Sequence, residues 1–159
     1  MAPKIALTLI SPLFIFAGCS TATTLLVDTP EGWSVSKDSH EGRVHAKKYV
    51  SELGNLRVRA SCLPANGLTT PDIVVGRTLS ATRDLAGWTV VEVGQAGDEV
   101  GVTMAYSQQG TELLYARFLA KYAPSGRTRL LVVSGTWMAE DNAAVRPALD
   151  AFVASLDCR

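Results

Sequence analysis

Charge of one sign is missing: 15 Lys and Arg stand against 15 Asp and Glu in 159 residues, and loss of Lys4 with an N-terminal signal leaves 14 against 15. A nearly neutral chain lacks the cationic surplus that phosphate neutralisation requires, so no nucleic-acid partner is expected. Histidine is scarce. His40 and His45 are the only two, and a spacing of five suits neither one face of a strand nor one face of a helix, so neither a metal nor another cofactor is expected. Gly-x-Ser-x-Gly, His-Glu-x-x-His and the Gly-Lys-Ser/Thr phosphate loop do not occur, which removes three common frames for hydrolysis and phosphoryl chemistry and points away from an enzyme. The paired acids Asp98-Glu99 and Glu140-Asp141 fall at an expected turn and an expected helix start, where solvation and the helix dipole account for them. Long apolar runs, low-complexity tracts and fixed-period repeats are also absent. A single domain, monomeric, is the reading that length and composition support.

What is present begins at the N-terminus. Lys4 supplies a positive start, and residues 5–16 form an apolar segment of 12 residues interrupted by Thr8, Ser11 and Pro12. A membrane-spanning helix needs about 20 apolar residues, so this length fits the core of an export signal. Phe16-Ala17-Gly18-Cys19 resembles a bacterial lipobox, with Phe16 where Leu is usual. The expectation is a signal over residues 1–18, lipid on Cys19, a tether over residues 19–23 and one globular domain over residues 24–159. The alternative is an ordinary signal cut after Ala22, without lipid. Cleavage before Cys19 leaves 141 residues, a length at which folding buries roughly two thirds of the chain's surface. Two or more acyl chains hold a protein on a membrane essentially permanently. Partners beyond the membrane itself should then lie in the cell envelope close to the bilayer. Ser20 after the cysteine resembles outer-membrane sorting in Gram-negative bacteria, which would place the domain on the periplasmic face.

Downstream the pattern reads as strands, a helix, more strands and a closing helix. Strand candidates are residues 24–28, a short run at Trp33 and Val35, and residues 43–50 and 55–63, the last two joined as a hairpin through Ser51-Glu52-Leu53-Gly54. Thr70-Pro71-Asp72 starts a helix that should run to about Ala86 and stop at Gly87. Strands follow at residues 88–93, 99–107, 112–122 and 128–137, and the last two are apolar on both faces, so both faces need cover. The closing helix, residues 143–156, sets Val145, Leu149, Phe152 and Leu156 on one stripe, with Pro147 in its first turn or kinking it.

In residues 43–50, Val44, Ala46 and Val50 would face the core, with Lys48 the exception. Arg43, His45, Lys47 and Tyr49 would then share a wet face with Arg57 and Arg59. That face is the candidate site for an acidic partner, anionic lipid headgroups or a polyanionic glycan. Its other reading is an edge hairpin whose charges discourage aggregation. Trp33, Trp88 and Trp137 each flank an apolar run and read as core. With Cys19 assigned to the lipid, Cys62 and Cys158 remain, an even pair that an oxidising compartment would bridge. Two unpaired thiols are the alternative.

Pro30-Glu31-Gly32-Trp33 after the first strand, the hairpin, one middle helix, the run of long strands and a closing helix ending in Phe152-Val153-Ala154-Ser155-Leu156 together look like the Mog1/PsbP-like group. That group includes small bacterial lipoproteins of the LpqN and DcrB type. The resemblance implies an α+β fold: a central antiparallel sheet of six or seven strands with helices on both faces, an α/β/α sandwich. It also implies a non-catalytic protein that binds or helps assemble a membrane-proximal partner. A carrier or sensor of a small envelope lipid or sugar, held in a sheet-helix cleft, is the second functional reading.

Overall fold

A computed structural model describes residues 23–159. The signal sequence, Cys19 and residues 20–22 of the tether lie outside the described residues.

Three strands form the first half of the sheet: β2 (Trp33–Glu41), β3 (Val44–Ser51) and β4 (Arg57–Pro64), with β1 (Leu25–Leu26) preceding them. Gly42, at φ +59, closes the β2–β3 turn in a conformation that costs a residue without a Cβ little. This hairpin was not expected from sequence, where β2 read as a short run around Trp33 and Val35. The expected β3–β4 hairpin is present, closed by a one-turn 3₁₀ helix at Leu53–Asn55.

Next comes α1 (Pro71–Thr82), with Pro71 at its first position, where the missing N–H costs nothing. It stops four residues short of the expected Ala86. Thr70 stands at the N-cap position but its side chain accepts no helix N–H; its hydroxyl donates to Asp72 Oδ1 at 2.6 Å. Four long strands then run as a meander: β5 (Trp88–Ala96), β6 (Glu99–Gln108), β7 (Thr111–Ala123) and β8 (Gly126–Met138). The closing helix α2 (Asn142–Ser155) is followed by β9 (Asp157–Cys158), which pairs antiparallel with β1. The expected strand at residues 24–28 is therefore only two residues long and lies outside the main sheet.

The main sheet has seven strands, all antiparallel, in the order β2-β3-β4-β8-β7-β6-β5. After β4 the chain crosses to the far edge through α1, and the meander returns until β8 pairs with β4. That route lays α1 over β6 and β7 and leaves the β2-β3-β4 half of its face uncovered by a helix.

The two sheet faces carry separate cores, as the two-sided apolar pattern of β7 and β8 requires. On one face Leu119, Leu131, Val133 and Trp137 pack with α2, whose Val145, Leu149, Phe152 and following Leu156 are each 2 % exposed or less. Burying side chains of this size contributes about 1.5 to 3 kcal/mol each. On the other face Val102, Met104, Ala116 and Ala120 meet Val75 of α1. Pro147 sits sixth in α2, past its first turn. The expected α/β/α sandwich is the observed fold, and among the described residues no helix is long and apolar enough to cross a membrane. Trp137 is core at 1 % exposure, whereas Trp33 and Trp88 are half-buried.

Candidate functional site

The six residues expected to share a wet face do not share one. His45 and Tyr49 are buried, 4 % and 1 % exposed, on the α2 side of the sheet, and Lys47 lies on that side with them. Arg43 occupies the exposed β2–β3 turn. Arg57 and Arg59 point to the opposite face, where their cross-strand partners are Val50 and Lys48. The face assignment of β3 is thus inverted, and the reason is the company β3 keeps. Tyr49 packs edge-on to Phe152 with ring centroids at 5.1 Å, and Trp33 lies 5.0 Å from the same ring. Aromatic area buried under α2 outweighs the exposure of Val50 on the other face.

His45 has a specific task. Its Nδ1 accepts the Leu25 N–H at 2.8 Å, and its Nε2 lies 2.7 Å from Asp38 Oδ1. A backbone N–H can only donate, so Nδ1 carries the lone pair and Nε2 carries the proton that Asp38 accepts. Lys47 Nζ stands 3.4 Å from the other Asp38 oxygen. The His45 hydrogen bond holds the Asp38 carboxyl below its usual value; burial opposes it, and the Lys47 ammonium adds to the lowering.

His40 stacks on His45 at 3.8 Å, because the Gly42 turn makes the two cross-strand partners. The spacing of five that argued against a shared position is what a hairpin turn brings face to face. Ligand atoms of Asp38, His40 and His45 all lie within 4.8 Å of one another. A divalent ion on Nε2 would drive the His45 proton to Nδ1, against the Leu25 N–H, and would compete with Lys47 for Asp38. Within that group His45, backed by Asp38, serves a clasp that fixes β1 on the β2–β3 hairpin.

Other bonds complete that clasp. Thr24 and Arg159 exchange backbone hydrogen bonds, the Thr23 hydroxyl donates to the Arg43 carbonyl, and Cys62 is disulfide-bonded to Cys158 with Cα atoms 5.8 Å apart. The expected bridge is present, and it lies directly beside His45 in the β3–β4 register.

An open groove of about 1090 Å³ runs between α2, the segment after β1 and the β3–β4 turn. Pro30, Trp33, Leu53, Ala148, Ala151 and Phe152 give it an apolar floor, and Asp28, Glu31 and Glu52 stand along it. Its shape rests on the Pro30–Trp33 turn, closed by Trp33 N–H donating to the Pro30 carbonyl at 3.1 Å, with Gly32 at φ +77. The Gly-Trp turn was noticed in the sequence as a fold feature, but its place in a groove depends on α2, more than a hundred residues away. On the opposite face, a second open cleft of about 520 Å³ lies over the uncovered half-sheet and includes Lys48, Arg57 and Arg59. Lys48 was missed as a member of that group. Its charge among expected core positions was the signal that the faces were reversed.

No protein-family profile and no curated protein sequence matches the chain. Solved structures similar to it include the following two. LpqN of Mycobacterium tuberculosis, described as involved in cell envelope biogenesis, superposes with a TM-score of 0.56 at 13% identity, covering 89% of this chain and 87% of that one. Cyanobacterial PsbP from Synechocystis sp. PCC 6803 superposes with a TM-score of 0.53 at 13% identity, covering 91% of this chain and 96% of that one. The sheet order, the two helices on opposite faces and these superpositions together identify the chain's fold as that of the PsbP-like and LpqN structures.

Proposed function

We propose that this chain is a non-catalytic envelope lipoprotein, anchored through Cys19, that binds or helps assemble a membrane-proximal protein partner in the groove beside α2. The observation that carries the reading is where the groove lies relative to the anchor. Thr23, four residues after Cys19, is fixed at the Arg43 end of β3. Four residues of tether reach roughly 15 Å at most. Trp33 and Leu53 lie at the other end of β3, whose eight residues extend roughly 25 Å at the usual rise of a strand. A lipid on Cys19 would therefore hold the clasp end at the bilayer and present the Trp33–Leu53 end away from it, towards other envelope proteins. The groove is open rather than enclosed, and Leu53 is 39 % exposed on it. That form suits an apolar side chain of a protein better than a wholly buried small ligand. The acids beside it favour a partner with basic residues flanking the apolar anchor.

Two further features support a non-catalytic reading. Both nitrogens of His45 are engaged, so it has no lone pair to offer as a base. Cys62 and Cys158 are tied to each other. LpqN's involvement in envelope biogenesis supports the same cellular setting for this chain.

The test is intact mass and membrane fractionation of the wild type beside Cys19→Ala in a lipoprotein-processing bacterium, with a photo-crosslinker at Leu53 and, as a control, at Leu68. A diacylglyceryl-sized mass on Cys19, lost with membrane retention in the variant, and a discrete crosslinked protein from position 53 alone are expected. A soluble, unmodified chain would overturn the anchor, and equal crosslinking from both positions would overturn the groove.

A further inference from the structure

We infer that the open half of the sheet is a second binding site, for a small ligand carrying a phosphoryl group, on the face opposite the groove. Lys48, Arg57 and Arg59 converge there because β3 and β4 pair in a register that sets Lys48 directly across from Arg59, with Arg57 two residues along the same face. Directly opposed like charges on neighbouring strands destabilise a sheet. Four cations elsewhere are paired with acids: Lys47 with Asp38, Arg117 with Asp150, Arg127 with Asp98 and Arg146 with Glu92. Among the described residues, Lys48, Arg57 and Arg59 have no acidic partner.

The surroundings add donors. On the adjacent strand β8, Thr136 pairs with Arg57 and Ser134 pairs with Arg59. Neither hydroxyl has a protein partner among the described residues, and both line the cleft with the three cations. Arg59 Nε donates to Ser61 Oγ at 3.4 Å, which leaves the two terminal guanidinium nitrogens for the cleft. A volume of about 520 Å³ lies within the range of small-molecule sites. Three positive charges within two strand spacings call for more than one negative charge in a small space. A phosphate monoester brings that in one group, and planar guanidinium forks match its oxygens. The cleft lies towards the Val50 end of β3, away from the Thr23 clasp, so on a Cys19-anchored domain it would face a soluble ligand rather than the anchoring bilayer.

This inference does not depend on the partner groove, and its test reads a different face. Calorimetry on the full chain would measure binding of inorganic phosphate and glycerol 3-phosphate, with anionic phospholipid vesicles and a Glu-rich peptide as separate arms. Saturable 1:1 binding of the phosphate ester is expected, weakened roughly ten- to a hundredfold in Arg57→Gln and Arg59→Gln. Arg127→Gln, which alters a paired cation elsewhere, should bind as the wild type does. Thermal unfolding of each variant separates lost binding from lost folding, and Arg59→Lys, which keeps the charge and loses the fork, should bind between wild type and Arg59→Gln. Absence of saturable binding to either soluble phosphate would overturn the site, as would unchanged affinity in both Arg→Gln variants. Binding only to vesicles would assign the face to a lipid surface, and binding only to the peptide would assign it to an acidic protein; either result overturns the small phosphoryl ligand.

Discussion

At the scale of single residues, Tyr49 and His45 show how differently two buried polar groups can be treated on one strand. The Tyr49 hydroxyl is buried without a hydrogen-bond partner, and burial pushes its pKa up to about 12 from 10.0. The ring supplies the stability, through Trp33 and Phe152, while the hydroxyl forgoes water. Tyr49→Phe should therefore unfold at equal or higher urea, with a gain of up to about 1 to 2 kcal/mol, whereas Tyr49→Ala should lose about 3 to 5 kcal/mol. The raised value also sets an alkaline signature. The neutral phenol is favoured in the fold, so its contribution is complete below pH 10 and lost as pH rises towards 12. Wild type should lose stability relative to Tyr49→Phe across that window, and parallel pH profiles of the two proteins would refute the assignment. His45 is the opposite case, with both nitrogens bonded. His45→Phe would leave the buried Leu25 N–H without an acceptor and Asp38 with Lys47 alone, at about 1 to 3 kcal/mol. Hydrogen exchange at the Leu25 amide should quicken in that variant before exchange in β6 to β8 changes. Asp38 carries the acid-side dependence: its contribution is present above pH 3.8 and fades as pH falls through its lowered value, a step that Asp38→Asn should remove.

At the scale of elements, the β3–β4 turn depends on a backbone conformation and on space together. Gly54 has φ +62, and a Cβ there would meet Val145 Cγ2 at 2.7 Å and Asp141 Cβ at 2.9 Å. Gly54→Ala should cost about 2 to 4 kcal/mol, from the left-handed backbone and from overpacking against α2, measured as a shift in the urea midpoint. A small cost would show that α2 can slide away from the turn. Elements of this kind also mark what the sequence made legible. The α2 stripe was readable because a helix of period 3.6 buries one face whatever its partner. The strands β5 to β8 were readable because Gly and polar turns punctuate them. The faces of β3 were not: Val44, Ala46 and Val50 alternate as a buried set would, and only the distant Phe152 decides that Tyr49 goes under α2 and Val50 does not. The β2–β3 hairpin was hidden for a related reason, since β2 is mostly exposed and its polar residues give no apolar alternation. Its Gly42 was the available signal. The clasp and the basic cleft followed β3 out of reach, because each is defined by which side of that one strand its residues take.

At the scale of the whole molecule, both ends of the described chain meet at one corner of the sheet. The β1–β9 pair has only two residues in each strand and could not persist alone. It is held by the Cys62–Cys158 bridge, by His45 and by the Thr24–Arg159 backbone bonds. Chain-entropy reasoning gives a bridge closing so long a loop about 4 to 5 kcal/mol of stabilisation at most. The bridge ties β4 of the main sheet to β9, while the seven-strand pairings are made by backbone bonds that do not involve it, so reduction should act in two unequal ways. The global unfolding free energy should fall by no more than that figure, while hydrogen exchange at residues 24–27 and 157–159 should rise far more than in β6 to β8, because the clasp opens locally. Cys62→Ala with Cys158→Ala should reproduce the pattern without reductant. If the tether enters the domain at this corner, opening the clasp also frees the domain's orientation on its anchor, and crosslinking from Leu53 should spread over more products. Uniform loss of protection across the sheet would mean that the bridge holds up the whole core rather than the corner, and would separate the anchor's geometry from the disulfide.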